Sequence, residues 1–559
     1  MTLQAGAMET IPSPAPGATI ASTMSEQPLL IRNILEHAMR SHPRKQVISR
    51  DGAGIVRFTY VQFAARVAKL AHALRKLGIG PGDRVASFAW NGHRHLELYY
   101  AVPMIGAVLH TVNIRLFPDQ AAYVLDHAGD RAVFVDASLV KALKPAIALD
   151  PHADRAFVVM GEGTEPLEGA HDYETLLAGE PETFAWPELD ERAAAILCYT
   201  SATTGDPKGV LYSHRSTYLH ALAIGLTDSL AVRERDRLLP IVPLFHVNAW
   251  GTPFVAPMVG ADFVMPMERL DPAGVIELCE SERVTMSAGV PTVWMGVRDA
   301  LQASGKRLST VERIVIGGAA MPKSLLDDLA ALGIKAVHAW GMTEMSPVGT
   351  VASDTSLLDH DPELQRNERY KQGKFSPIVE WRVVDEHGRD VPADGKARGE
   401  LLVRGYAIAR SYYNNDEANA TAFEPDGWFH TGDVVTVDEY GYMEIVDRVK
   451  DFIKSGGEWI SSVEVENLLM GHPGVKEAAV FGISHPRWQE RPVAAVVLRE
   501  GYEEDEEAIR TWMLERLAKW QTPDRIMFID AIPRTGVGKF LKRDLRSRYG
   551  ELFNEGESE

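Results

Sequence analysis

The stretch Tyr199-Thr-Ser-Ala-Thr-Thr-Gly-Asp-Pro-Lys-Gly-Val210 gathers hydroxyls, small residues and one lysine into a single turn. Such a turn can hold a polyphosphate: Thr200, Ser201, Thr203 and Thr204 offer donors, backbone N–H groups can point outward, and Lys208 supplies a cation. Residues 193–199, just before it, form an apolar run of buried-strand length, so the loop is expected to leave a sheet edge. The ordinary P-loop ends in Gly-Lys-Ser/Thr and opens a helix, whereas Pro207 and Gly209 flank Lys208 here and forbid one. Any four of these residues alone would read as a Ser/Thr/Gly surface turn. The full string argues against that.

Four further segments carry candidate chemistry. Ile314-Val-Ile-Gly-Gly-Ala-Ala320 is an apolar strand ending in small residues, where a flat ring can approach the backbone at Gly318. Ala339-Trp-Gly-Met-Thr-Glu344 places a large aromatic face, a hydroxyl and a carboxylate within one turn, suited to stacking adenine and holding Mg2+. Trp428-Phe-His-Thr-Gly-Asp433 sets a carboxylate just after a glycine turn, where it can accept from ribose hydroxyls. Pro533-Arg-Thr-Gly-Val-Gly-Lys539 hangs a lysine on a loop that two glycines loosen. Each has a plainer reading as turn, core tryptophan, local Asx acceptor or solvated lysine.

These loops need a scaffold, and 559 residues exceed what one hydrophobic core organises. Helical and extended patterns alternate through the first two thirds: residues 61–77 read as an amphipathic helix, 84–88 as a strand, 272–281 as a helix, 284–288 as a strand, 325–332 as a helix and 336–339 as a strand. That is the signature of helix-covered sheets. From residue 381 onward the texture becomes short strands between Gly/Asp turns (381–385, 399–404, 442–446), an antiparallel subdomain. After Asp447-Arg-Val-Lys-Asp451, a helix over 463–470, strands over 477–481 and 493–498, a helix over 506–518 and a strand over 525–528 form a unit of about domain size. The expected fold is therefore α/β plus α+β. Residues 1–27 read as an extension and 28–447 as a large N-terminal domain of mixed sheets with a small barrel-like subdomain. A hinge at 448–451, a small mobile C-terminal domain over 452–548 and an acidic tail over 549–559 follow.

Composition is ordinary for a globular chain, with 45% hydrophobic and 24% charged residues, and no apolar run long enough to span a bilayer. The formal charge of −19 opposes general nucleic-acid binding, so an anionic ligand has to be captured by local basic groups. The two cysteines, Cys198 and Cys279, sit in apolar surroundings and read as buried thiols in a reducing compartment, so a cytoplasmic location is expected. The first residues lack the basic start and apolar core of a signal peptide.

Taken together and in order, the five segments resemble the adenylate-forming superfamily of acyl-CoA synthetases across about residues 28–548. Within it, Val242-Pro-Leu-Phe-His-Val-Asn-Ala-Trp250 and Lys454-Ser-Gly-Gly-Glu-Trp-Ile-Ser461 are similar to bacterial medium- and long-chain fatty acyl-CoA synthetases. The resemblance implies that Thr200 and Glu344 hold Mg2+ and that Ser201, Ala202, Thr203, Thr204, Gly205 and Lys208 hold the β- and γ-phosphates of ATP. It implies that Gly318, His338, Ala339, Trp340, Gly341, Met342 and Thr343 surround adenine, with Trp340 where many relatives have tyrosine. Asp433 and Arg448 would bind ribose, Lys450 would be the hinge, Lys454 and Trp459 would lie near the nucleotide and the CoA channel, and Lys539 would be the adenylation lysine. His246, Val247 and Trp250 would face the acyl group, Trp250 as its gate. Ala202 departs from the family, which usually has glycine there.

The chemistry agrees with those roles. A carboxylate does not exchange hydroxide for a thiol at neutral pH, so it first needs a better leaving group, which attack on ATP supplies with loss of pyrophosphate. CoA then displaces AMP. No acidic residue near Phe245-His246 is evident to pair with a substrate ammonium, and Val247, Trp250, Val293, Trp294 and Met345 suggest a hydrophobic acid, best matched by a medium- or long-chain fatty acid. Thioether, branched or aryl acids are the alternatives, as are an oxygen-dependent second step and, from another class, a nucleotide-binding protein without catalysis. Some relatives are homodimers, but no interface stands out here.

Overall fold

The computed structural model describes residues 22–52, 54–149, 152, 155–200, 206–319, 321–455, 458–503, 505–534, 540–550 and 552–553. Among them, strands assemble into sheets of nine, seven, five and four. The seven-stranded sheet is parallel through Ala156–Met160, Asp130–Asp136, Arg84–Phe88, Val108–Thr111 and Ala194–Tyr199, and ends with the antiparallel edge strand Gly209–Ser213. Its central strands are nearly continuous apolar runs because both faces are covered.

The helices that cover the sheets follow from sequence. Tyr60–Lys76 opens with a reciprocal capping box between Thr59 and Gln62 and buries Phe63, Val67, Leu70 and Leu74 on one stripe. It stops before Gly78, whose φ of +77° suits glycine. The nine-stranded sheet has a parallel centre that includes Met286–Gly289, Arg313–Ile316 and Lys335–Gly341, with antiparallel strands at both ends.

The expected barrel-like subdomain is a four-stranded antiparallel sheet in the order Val379–Val384, Gly399–Gly405, Phe429–Val437, Met443–Arg448. The C-terminal unit folds around the long hairpin Val475–His485 and Gln489–Leu498, with Arg525–Phe528 added in parallel. It is tied to the preceding sheet by Asp447: Oδ2 accepts from the Ser462 backbone N–H at 2.5 Å and Oδ1 from the Ser462 hydroxyl at 3.0 Å. Lys542 then pairs with Glu466 at 2.7 Å and donates to Ser462 Oγ at 2.6 Å.

Candidate active site

Cross-strand pairing builds the phosphate end. Ala194–Tyr199 and Gly209–Ser213 form an antiparallel hairpin at the sheet edge, so the strand continues after Lys208 and no helix opens there. Thr200 closes its neck: its N–H donates to the Lys208 carbonyl at 2.9 Å and its Oγ1 accepts from the Lys208 N–H at 3.1 Å. Ser201, Ala202, Thr203, Thr204 and Gly205 lie outside the described residues, as does Lys539.

A cavity of about 710 Å³ opens beside that hairpin, and Thr200, Lys208, Gly318, Glu344, Arg448 and Lys450 all line it. Ala339, Trp340, Gly341, Met342 and Thr343 form another part of its wall, and His246, Val247 and Trp250 a third. A second cavity of about 510 Å³ shares Gly318, Trp340, Arg448 and Lys450 and adds His338 and Asp433. Lys454 and Trp459 line neither; the Lys454 ammonium instead sits 4.3 Å above the half-exposed Trp459 ring. Arg534 and Phe540, on either side of the lysine loop, line the second cavity.

Asp433 lies within the strand Phe429–Val437, directly opposite Arg448. Its Oδ1 is 3.1 Å from Arg448 Nε, and its Oδ2 accepts from the Trp340 indole N–H at 3.0 Å. This carboxylate raises the pKa of the Arg448 guanidinium, which keeps a fixed charge at the cavity wall. Burial, with Arg448 nearby, lowers the Lys450 ammonium pKa. His338 donates its Nδ1–H to the Tyr370 carbonyl at 3.0 Å, and burial lowers its pKa, favouring the neutral ring.

The acyl wall has an unusual backbone. Val247, Asn248, Ala249 and Trp250 have φ of +41°, +54°, +44° and +59°, and Gly251 follows at +79°. A left-handed run of non-glycine residues costs on the order of 1 kcal/mol or more at each, so neighbours have to hold it. Asn248 Oδ1 accepts from Tyr99 Oη at 3.3 Å and from Cys198 Sγ at 3.4 Å, while Thr252 Oγ1 donates to the Ala249 carbonyl at 2.7 Å. Asn91 clamps the approach, donating to the carbonyls of Pro240 and Val242 and accepting from the Leu244 N–H. The turn aims Trp250 at the Gly317-Gly318 backbone, where a Cβ on Gly317 would lie 3.3 Å from the indole. Val293 lines the cavity, but Trp294 and Met345 are core residues.

Two cavity residues escaped the sequence reading. Tyr412 donates to Glu344 Oε1 at 2.6 Å, and Arg115 lines the cavity with its guanidinium 5.9 Å from the Phe245 ring centroid. The double tyrosine Tyr412-Tyr413 after a serine carried no signal of its own. Cys198 and Cys279 are buried and in no disulfide, and burial pushes their thiols up to about 11 and about 12, which makes them inert.

Among the described residues no group of three or more His, Cys, Asp or Glu is placed to hold a metal ion. Thr200 and Glu344, which both line the cavity, nevertheless suit Mg2+, which takes one or two protein oxygens and fills its shell from phosphates and water. Among the described residues no helix is long and apolar enough to cross a membrane.

Two family descriptions match the chain: AMP-binding enzyme over residues 35–413, and AMP-binding enzyme C-terminal domain over residues 464–539. A long-chain-fatty-acid–CoA ligase of Thermus thermophilus is 48% identical over 95% of this chain and 98% of its own length. A 3-methylmercaptopropionyl-CoA ligase of Ruegeria pomeroyi is 43% identical over 95% and 99%. Among solved structures, an anthranilate CoA ligase bound to anthranoyl-AMP superposes with a TM-score of 0.84 at 26% identity, over 94% of this chain and 98% of that one. The chain belongs to the AMP-binding enzyme family, the adenylate-forming superfamily. It is an acid–thiol ligase of the AMP-forming class, with ATP and CoA as co-substrates.

Proposed function

We propose that the enzyme activates a hydrophobic carboxylic acid, of the medium- or long-chain fatty class, and passes it to CoA. One observation carries this reading: a single cavity joins the phosphate hairpin, Glu344 and Arg448 to a wall of Val242, Val247, Trp250, Val290, Val293 and Val348. In the first step a carboxylate oxygen bonds to the α-phosphorus of ATP and the α–β bridging oxygen leaves with pyrophosphate. In the second the CoA sulfur, having lost its proton, bonds to the acyl carbon and AMP leaves.

The chain's own residues have definable parts in this. Lys208 and the residues 201–205 hold the β- and γ-phosphates; Gly318 and the segment from His338 to Thr343 receive adenine; Asp433 accepts from the ribose hydroxyls and Arg448 donates to the ribose oxygens. Lys539 bridges the acyl carboxylate and the α-phosphate, offsetting the repulsion of two anions, several kcal/mol in a water-poor site. Thr200 and Glu344 would hold Mg2+, which neutralises charge developing on the phosphates. The small domain pivots at Lys450 between the two half-reactions. The lining of the second cavity by Arg534 and Phe540, and the absence of Lys454 and Trp459 from both, support reading this arrangement as the adenylating one. On that reading, Lys454 and Trp459 approach only after rotation. The buried unpaired thiols support a cytoplasmic location.

A shorter thioether acid is the second reading. It is favoured by the indole of Trp250 packing against the Gly317-Gly318 backbone, which shortens the apolar end, and by the Ruegeria pomeroyi relative. Carboxylate-dependent pyrophosphate release across fatty, thioether and aryl acids, repeated with and without CoA, tests both. Release with no acid in the panel would overturn the function, and turnover indifferent to CoA would overturn the second step.

A further inference from the structure

The segment around residues 407–413 touches both ends of the phosphate site. Its Ala409 N–H donates to the Glu344 carbonyl at 2.7 Å, and its Tyr413 N–H donates to the Gly209 carbonyl at 2.8 Å, just beyond Lys208. Between these two stitches stands Tyr412, buried at 6% exposure. Its hydroxyl donates to Glu344 Oε1 at 2.6 Å, and the Lys208 ammonium lies 4.9 Å from its ring centroid. Asn419 locks its backbone, accepting from the Tyr412 N–H at 2.6 Å and donating to its carbonyl at 3.1 Å. Phe423 and Phe429 pack against the ring.

We propose that Tyr412 is a positioning residue that sets the carboxylate of Glu344 and the ammonium of Lys208 at a fixed spacing, so that one side chain registers the metal-holding and the phosphate-holding groups. This rests on the roles proposed for Glu344 and Lys208. The hydroxyl orients one oxygen of the carboxylate and leaves the other face of the group to the cavity. The ring face attracts the ammonium without neutralising it, as a carboxylate would, so the charge stays available to phosphate.

The test separates the two contacts. Y412F keeps the ring and removes only the hydroxyl, and Y412L removes both. Binding of a non-hydrolysable ATP analogue to the full-length protein is measured by calorimetry, once with saturating Mg2+ and once with EDTA. For Y412F the affinity should fall about five- to tenfold with Mg2+ and stay unchanged in EDTA, as expected for loss of one charge-assisted hydrogen bond. Y412L should lose affinity in both conditions. E344Q, which leaves Tyr412 in place, should show the same Mg2+-specific loss, and adding Y412F to it should weaken binding no further. Wild-type binding by Y412F in Mg2+, an equal loss in both conditions, or additive losses with E344Q would overturn the proposal. A wild-type protein that binds no analogue at all would instead sink the nucleotide-site reading on which it rests.

Discussion

The Trp340 indole N–H donates to Asp433 Oδ2 at 3.0 Å, joining the aromatic wall of the cavity to the carboxylate assigned to ribose. Both are buried, and Arg448 occupies the other oxygen of Asp433 from 3.1 Å. A carboxylate held from both sides cannot swing, so its remaining lone pairs face a fixed direction.

Trp340→Phe therefore isolates the donor while keeping an aromatic face. The KM for ATP is expected to rise about three- to tenfold, the roughly 1 kcal/mol net contribution of one hydrogen bond. The KM for the acid should not move. Steady-state kinetics with each substrate varied in turn checks this, and a rise confined to the acid would show that Trp340 serves the acyl pocket.

That pair also marks how far the sequence could be read. Strands such as Arg84–Phe88 and Arg525–Phe528 and the helix Pro272–Ser281 have the bounds that apolar runs and flanking turns predict. The hairpin through the phosphate loop follows from Pro207 and Gly209. Trp340 and Asp433, by contrast, are 93 residues apart and meet only because two different sheets converge on the cavity. Nor does any glycine announce the left-handed turn from Val247 to Trp250; its conformation is imposed by Tyr99, Asn91 and Thr252, so local propensity pointed elsewhere. Lys454 and Trp459 were legible as motif residues, but their place depends on how the C-terminal unit is docked, which motif order does not encode.

Trp250 fills the space against Gly317 and Gly318, and its truncation should lengthen the apolar end of the cavity. Trp250→Ala is expected to shift the preference of the enzyme toward longer or bulkier acids by about tenfold in relative kcat/KM, since each extra buried methylene contributes about 0.8 kcal/mol. ATP dependence should be unchanged. A panel of acids graded by chain length reads the outcome. An unaltered profile would remove Trp250 from the specificity wall and leave it a support for the turn.

His220 holds the opposite side of that turn. Its Nε2 accepts from the Val348 N–H at 3.1 Å, which requires a neutral ring, and complete burial lowers its pKa from 6.5 to about 3. A depressed histidine pKa means that the unfolded chain binds the proton more tightly. The stability it contributes is present above about pH 6.5 and is lost as the pH falls toward the folded value. His220→Gln retains an acceptor but does not titrate. The stability of the wild type relative to this variant should thus fall by about 1.6 kcal/mol between pH 6.5 and pH 5. Denaturant unfolding at the two pH values measures the difference directly; because other buried groups titrate in both proteins, only the change in the gap counts. A constant gap would mean that His220 is protonated in the folded enzyme.

Asp447 and Ser462 span the proposed pivot, one on each side of residues 448–451. Their bonds stabilise the docked arrangement in which Arg534 and Phe540 face the second cavity. Asp447→Asn replaces one acceptor oxygen by an NH2 donor that faces an N–H, because the Ser462 and Arg448 N–H groups each donate to one oxygen of this side chain. Weakening one docked state of a two-state lid shifts population to the other. Adenylation, followed as pyrophosphate release, is expected to fall roughly tenfold, the scale of a disrupted charged hydrogen bond. Thioester formation from preformed acyl-adenylate should change less than about twofold, since that step would use the other arrangement. Lys539→Ala, which leaves the docking bonds alone, should give the same split with a larger loss in adenylation. If both variants slow the two half-reactions equally, the contact between Asp447 and Ser462 supports folding of the C-terminal unit and does not select between positions of a moving domain.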